Sequence, residues 1–303
     1  MKNNFNDIYE NIYKNSKIEL DELKKKNTSE VIMLLLIIGI VTFVIYYINK
    51  VTAIFVACMG LIVFVTTVAR RSYTYRALYK ERVIKSIVRG YSNNLEYSPI
   101  SKMSRREYDR SGFDRNYDYF YTEDEISGKL EDGSTIKMAQ IATVEETTTV
   151  DSEGNKQTTR TETFRGMYGY IYLNTVLIPN IIEVTNNSLL KTYAQNRIEV
   201  ESAEFEKKYD ITAMDRLNAM QIFTADLIEK FINLNANERY ILQMKIEDSI
   251  IYFRFRCGEV FEPPKLSSGI TFDLLYKYFS IVNFPIEISE KIIENAKAIK
   301  GEY

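Results

Sequence analysis

The chain has 303 residues, 46% apolar and 26% charged, with 39 Lys plus Arg against 41 Asp plus Glu and a net charge of −2. That balance gives no global electrostatic reason to expect nucleic-acid binding. The absence of His removes Ser-His-Asp and Cys-His nucleophile systems, His-ligated zinc and His-held haem, and two Cys suffice for neither a four-cysteine metal site nor a disulfide framework.

Residues 2–26 place Phe5, Ile8, Tyr9, Ile12 and Tyr13 at i, i+3, i+4, i+7 and i+8. This spacing predicts an amphipathic helix within a cytosolic segment 1–30, ending at Lys24-Lys25-Lys26. Residues 31–48 and 51–69 then form two apolar runs without a charge. At about 1.5 Å per residue each spans about 27–28 Å, close to the hydrocarbon thickness of about 30 Å. Only Asn49 and Lys50 separate them, and a single helix through both runs would place that pair at mid-bilayer, at high cost. A transmembrane helical hairpin over 31–69 is the expectation. A signal peptide fits badly, because the apolar run starts about thirty residues in and a second span follows at once.

Gly39 and Gly60 lie equally far from Asn49-Lys50 and therefore share a depth in an antiparallel pair. Ala53, Ala57 and Gly60 recur at helical spacing. Small residues at one level let backbones approach in lipid, so Gly39, Ala57 and Gly60 are the expected crossing, although glycine is also common in membrane helices for no such reason. The spans hold no Asp, Glu, Lys, Arg or His, which argues against a channel through this hairpin alone. Cys58 lies inside the second span and Cys257 far from it, so no disulfide is implied.

Lys14, Lys17, Lys24, Lys25 and Lys26 precede the spans, and Arg70, Arg71, Arg76, Lys80, Arg82, Lys85 and Arg89 follow them. The connecting turn has only Lys50, so both termini are expected on the cytoplasmic side. Residues 70–96 read as a basic juxtamembrane helix with Leu78, Tyr79, Val83, Ile87 and Tyr91 on a rough apolar stripe. Two readings stay open: the two flanking helices pack as a stalk, or either lies on the headgroup surface, where anionic lipid attracts each basic residue by ~1 kcal/mol.

Residues 97–303 read as a cytosolic domain. Pro99, Gly112 and mixed charge mark 97–116 as linker and loop, and 118–132 is acidic. Strands are predicted over 135–150, 157–164, 167–178, 180–184, 197–201, 210–213, 240–247 and 249–257, with a turn at 151–155. Helices are predicted over 203–208, 215–223, 224–234 and 272–300, the last interrupted near Pro285. The fold class is α+β, with antiparallel strands and several helices after the hairpin.

Motifs that carry chemistry are few. Asp151-Ser152-Glu153-Gly154-Asn155 departs from a calcium loop, since Lys156 stands where that loop requires Gly. The aromatics after Arg165 resemble an RNA-binding strand with one extra residue, and an insertion moves later side chains to the other face. Asp118, Glu123, Asp124 and Glu125 are the candidates for a divalent metal, paired-carboxylate chemistry or a partner contact, against the plainer reading of solvated charge. Ser202 suits a helix cap; as a nucleophile it would need Lys207 or Lys208 as base.

The string Glu201-Ser202-Ala203-Glu204-Phe205-Glu206-Lys207-Lys208-Tyr209-Asp210-Ile211 is the most distinctive in the domain. Together with Tyr121-Thr122-Glu123-Asp124-Glu125-Ile126-Ser127-Gly128 and Phe164-Arg165-Gly166-Met167-Tyr168, it resembles a bacterial membrane-anchored family known as domain of unknown function 3137. The resemblance covers about residues 70–265. Thr224-Ala225 departs from the Thr-Pro often found in that family, without threatening the helix. The resemblance implies a membrane hairpin ahead of a soluble domain and a bacterial plasma-membrane setting, and it carries no catalytic residue or cofactor.

The expected role is an integral plasma-membrane protein with two spans and both termini cytoplasmic, presenting an α+β module for protein binding or scaffolding. Its expected partners are the bilayer, anionic headgroups, and a protein partner or further copies of the chain, with no nucleic acid, cofactor or metal assigned. A lipid or small-ligand sensor near the basic helix, and a carboxylate-based metal-dependent enzyme, are the alternatives.

Overall fold

The computed structural model describes residues 5–114, 116–150, 154–175, 177, 180–186, 196–234, 241–264 and 269–300. Residues 151–153 of the expected turn, residues 176 and 178 at the end of one expected strand, Pro179 after it, and Tyr240 lie outside them. The chain divides into two compact units, Met1–Ile87 with Glu262–Leu275, and Val88–Phe261 with Tyr276–Tyr303.

In the first unit, α1 (Phe5–Ile12), a π-helical turn (Tyr13–Lys17) and α2 (Ile18–Ile48) form one continuous rod. A second rod comprises α3 (Lys50–Tyr79), a π-helical turn (Lys80–Ile84) and α4 (Lys85–Tyr91), which runs on into the second unit. Both rods contain a stretch long and apolar enough to cross a membrane. No break separates either span from its flanking helix. The Thr28 hydroxyl donates to the Lys24 carbonyl at 2.9 Å, so the polar stretch expected to end the first helix is absorbed within it.

Asn49 alone reverses the chain. Its backbone is extended, and its Oδ1 accepts from Val51 N at 2.9 Å and Thr52 N at 3.2 Å, capping α3. Leu34, Ile38, Thr42 and Ile45 on α2 are half-buried, as are Val56, Ala57, Gly60 and Phe64 on α3, while Ala53 is buried. The remaining faces of both spans are largely exposed apolar surface, as lipid contact requires.

The crossing differs from the glycine-on-glycine contact expected. A Cβ on Gly60 would lie 2.5 Å from Ile38 Cγ2, whereas nothing lies within 4 Å of a Cβ on Gly39. Equal depth fixes height but not rotation, and Gly39 is on an exposed face. Gly60 admits the Ile38 side chain, with Ala57 half-buried one turn away.

Helix pairing continues beyond the apolar runs through the Glu30–Arg71 and Glu19–Arg82 ion pairs. Their members stand eleven residues apart on each rod, so the antiparallel register is kept, and Leu20, Tyr75 and Tyr79 are buried along this stretch. The flanking helices therefore pack as a stalk. In detergent, Gly60→Leu should lower hairpin stability by about 1–3 kcal/mol through overpacking, and Gly39→Leu should leave it unchanged. Equal melting temperatures for the two variants would contradict this packing.

The second unit is one antiparallel nine-stranded sheet, ordered β1-β2-β3-β4-β9-β8-β5-β7-β6. The strands are β1 (Leu95–Ser98), β2 (Tyr119–Lys129), β3 (Thr135–Val150), β4 (Lys156–Tyr172), β5 (Ile181–Asn186), β6 (Arg197–Ile198), β7 (Tyr209–Ala213), β8 (Ile241–Glu247) and β9 (Ile250–Arg256). Its helices are α5 (Arg105–Asp109), α6 (Ala203–Lys208), α7 (Arg216–Ile222), α8 (Ala225–Leu234) and most of α9 (Phe272–Lys300). Met138, Ile171, Met244, Ile246, Phe253 and Phe255 are buried strand residues. Phe231 of α8 meets Phe205 of α6 and Phe284 of α9 with ring centroids 5.9 and 5.5 Å apart, and Phe284 meets Phe255 at 5.7 Å. These contacts bind helices and sheet into one core.

Pro285 lies inside α9 without ending it. Burial of Ile281, Val282, Phe284, Ile286 and Ile288 around it offsets the missing hydrogen bond. The acidic segment forms β2, because Ile126 and its aromatic lead-in pair with β3 across a bulge at Asp124, whose φ is 54°.

Candidate functional site

The stretch expected to be a loop, 97–116, begins in β1 and contains α5, and with Tyr117 it shares a core with β3, β4 and β9. Tyr108, Tyr117, Phe164, Tyr168 and Tyr252 form one buried aromatic cluster there. Ser104 caps α5, and Glu107 Oε2 accepts from Ser104 N at 2.7 Å, a capping box written in Ser104-Arg105-Arg106-Glu107. That pattern was the signal available in the sequence for this helix. Glu107 also accepts from Lys137 Nζ at 2.8 Å and Tyr170 Oη at 2.7 Å.

Arg254, 6% exposed, holds this layer to the sheet. It donates to Asp114 Oδ2 at 2.7 Å, Tyr108 Oη at 2.6 Å and the Phe113 carbonyl at 3.3 Å. Its guanidinium lies 4.8 Å from the Phe164 ring centroid and 5.1 Å from that of Phe113. Burial opposes ionisation of Asp114, but hydrogen bonds from Arg254 and Tyr108 outweigh it and hold the carboxyl below its ordinary range. Burial pushes the phenols of Tyr108 and Tyr168 up. Two of the aromatics that resembled an RNA-binding strand are core residues, since Tyr168 is fully buried and Tyr170 is 9% exposed, while Tyr172 is exposed.

The four acidic candidates do not converge on one point within this unit. Asp118 Oδ2 accepts from Glu146 N at 2.6 Å, and Glu123 accepts from Gln140 Nε2 at 2.7 Å. Asp124, fully buried, accepts from Tyr97 Oη, and Glu125 accepts from Lys102 N at 2.7 Å and Ser101 Oγ at 3.1 Å. Each serves a backbone or side-chain donor. Glu123 also lines a recess of about 380 Å³ with Tyr121, Thr122, Gln140, Ile141, Ala142 and Arg165, in which the Thr122 hydroxyl is buried with no partner among the described residues.

Among the described residues, five of the seven basic residues form ion pairs. Arg71 meets Glu30, Arg82 meets Glu19, Lys85 meets Glu81, and Arg76 and Lys80 both reach Glu262, at 2.8 and 2.9 Å. Lys80 is buried, while Arg70 and Arg89 are exposed. Ser202 caps α6 by accepting from Phe205 N at 3.3 Å, and Lys208 pairs with Glu204 at 3.0 Å, so Ser202 acts as a cap.

One feature projects beyond the sheet. β2 pairs with β3 only as far as Val144, and β9 pairs with Met167–Tyr172 of β4. The β3–β4 ladder continues without them from Val144↔Glu162 to Val150↔Lys156. This two-stranded arm is exposed on both faces and reaches about 20 Å. Its base is braced by Arg160, which donates to Glu146 Oε2 at 2.6 Å and lies 4.8 Å from the Tyr119 ring centroid, and by Tyr119 Oη, which donates to Glu146 at 2.9 Å. The sequence alternation of Thr with polar residues had indicated an exposed hairpin. Its open edges follow only from where the neighbouring strands stop.

Residues 163–293 match the family described as "Protein of unknown function (DUF3137)". The match starts later than the resemblance at about residue 70 suggested, and the hairpin and the whole arm lie outside it. No curated protein matches the chain. The mycobacterial trehalose monomycolate transport factor A, TtfA, superposes with a TM-score of 0.39 at 7% identity, covering 71% of this chain and 92% of that one, a likeness too distant to bear on function.

The Glu107 contacts carry a pH signature. Burial alone would raise its pKa, but hydrogen bonds from Lys137, Ser104 and Tyr170 dominate and bring it from 4.5 to about 2. A depressed carboxylate contributes stability above pH 4.5 that is lost as pH falls through about 2. Glu107→Gln should therefore lower the melting temperature at pH 7 and flatten the acid limb between pH 4.5 and 2. An acid limb as steep as that of the unmodified protein would contradict this assignment.

Proposed function

We propose that this chain, whose residues 163–293 match the DUF3137 family, is a membrane-tethered protein-binding module whose contact element is the β3–β4 arm. The hairpin holds the module at the plasma membrane, and the excess of Lys and Arg on both flanks, against Lys50 alone in the turn, favours cytoplasmic termini. The observation that carries the reading is the arm itself. A two-stranded ribbon is marginal in water, and an edge with unpaired amides and carbonyls is a template for another strand. A chain that extends such a ribbon clear of its own core has provided a docking surface of the strand-addition kind.

The headgroup-sensing reading is less well supported, because most of the basic stripe is engaged by Glu19, Glu30, Glu81 and Glu262. Carboxylate chemistry is less well supported because Asp118, Glu123, Asp124 and Glu125 each already hold a donor. The test replaces 147–159 with an Asn-Gly turn in the full-length protein. Chemical crosslinking in native membranes should lose its crosslinked assembly while the melting temperature stays within a few degrees. An assembly that persists at full yield after this trimming would overturn the arm as the contact element.

A further inference from the structure

The two edges of the arm differ. The β3 edge is closed near its base, because the Asp118 side chain accepts from Glu146 N at 2.6 Å and Asp118 N donates to Val144 O at 2.9 Å. Its remaining charges, Glu145 and Glu146, are all acidic. No strand pairs with the β4 edge over Lys156–Glu162 among the described residues. That edge reads Lys156-Gln157-Thr158-Thr159-Arg160-Thr161-Glu162.

This string is self-complementary in the antiparallel sense. Laid against a second copy about a two-fold axis at Thr159, it places Lys156 opposite Glu162 at both ends, Gln157 opposite Thr161, and Thr158 opposite Arg160. Moving the axis one residue in either direction, to Thr158 or Arg160, sets Lys156 opposite Arg160 or Arg160 opposite itself, so charge selects the register. Arg165 Nε donates to Glu162 Oε2 at 2.6 Å, which leaves Oε1 as an acceptor for the lysine of the second copy.

We propose that the β4 edge of the arm pairs with the β4 edge of a second copy of this chain, forming a continuous four-stranded ribbon, β3-β4-β4-β3, across a two-fold dimer. The proposal rests on the binding-module reading above and names its partner. An isologous contact closes on itself, whereas a β3 edge meeting a β4 edge would propagate into a filament, and the Asp118 bond blocks that route. Confinement to a membrane raises the effective concentration of copies for each other.

The test uses full-length protein in lipid nanodiscs, with Cys58→Ser and Cys257→Ser as background. Thr159→Cys should give a disulfide-linked dimer on mild oxidation, because residues opposite each other at the two-fold have Cβ atoms about 4.5–5.5 Å apart. Thr149→Cys on β3 should not. In the parent chain, Lys156→Glu or Glu162→Lys alone should weaken the dimer about tenfold by sedimentation or native mass spectrometry, and the double exchange should restore it. A monomer in nanodiscs, or a dimer indifferent to both single reversals, would overturn the pairing. A photoreactive residue at position 159 in native membranes then separates the two claims. An adduct with a different protein sinks only the second copy as partner, and the absence of any adduct sinks the binding-module reading with it.

Discussion

The β3–β4 ladder is the element on which the soluble unit depends. Its inner part forms the floor under the Arg254 layer, through Phe164, Tyr168 and Tyr170, with Met167 and Ile171 buried on its other face. Beyond Val144 the same ladder leaves both neighbours behind. Core and arm are thus one continuous pair of strands, and a load on the arm is carried directly into the sheet. Gly166 marks how closely the ladder is packed against β9: a Cβ there would fall 1.9 Å from the Phe255 carbonyl oxygen.

The hairpin obeys a different constraint. A hairpin that crosses a bilayer must satisfy its backbone within each helix, and the reversal at Asn49 meets that requirement in one residue that caps the next helix with its own side chain. Outside the apolar runs the rods are held by Glu19–Arg82 and Glu30–Arg71 in the same register that Gly60 and Ile38 set within them. The basic residues that read as an orientation signal therefore have a second use, as the clasps of the stalk.

Much of this was legible in the sequence, and the exceptions have physical causes. Charge-free runs of membrane-spanning length, the Ser202 cap, the α8 apolar face and the β8–β9 alternation are local patterns, and local patterns can be read directly. Gly39 was misjudged because sequence distance from the turn gives depth but no rotation. β2 was missed because its acidic residues suggested solvated charge, while Asp124 and Glu125 are held by Tyr97, Ser101 and Lys102 from distant segments. Arg254 looked like an ordinary strand residue, and its role appears only when Asp114 and Tyr108 arrive from the stretch 97–116. The break expected at Pro285 is overruled by burial on both sides of it.

The central claim is that the outer edge of the arm is covered in the assembled protein. Amide hydrogen exchange across 156–162, measured on the intact chain in membranes, tests it most directly. Alternate amides of this strand point away from β3, and an uncovered edge leaves them exposed to water. The account predicts that these outward amides are protected as strongly as those bonded to β3. Exchange at the rate of an unpaired peptide would contradict it.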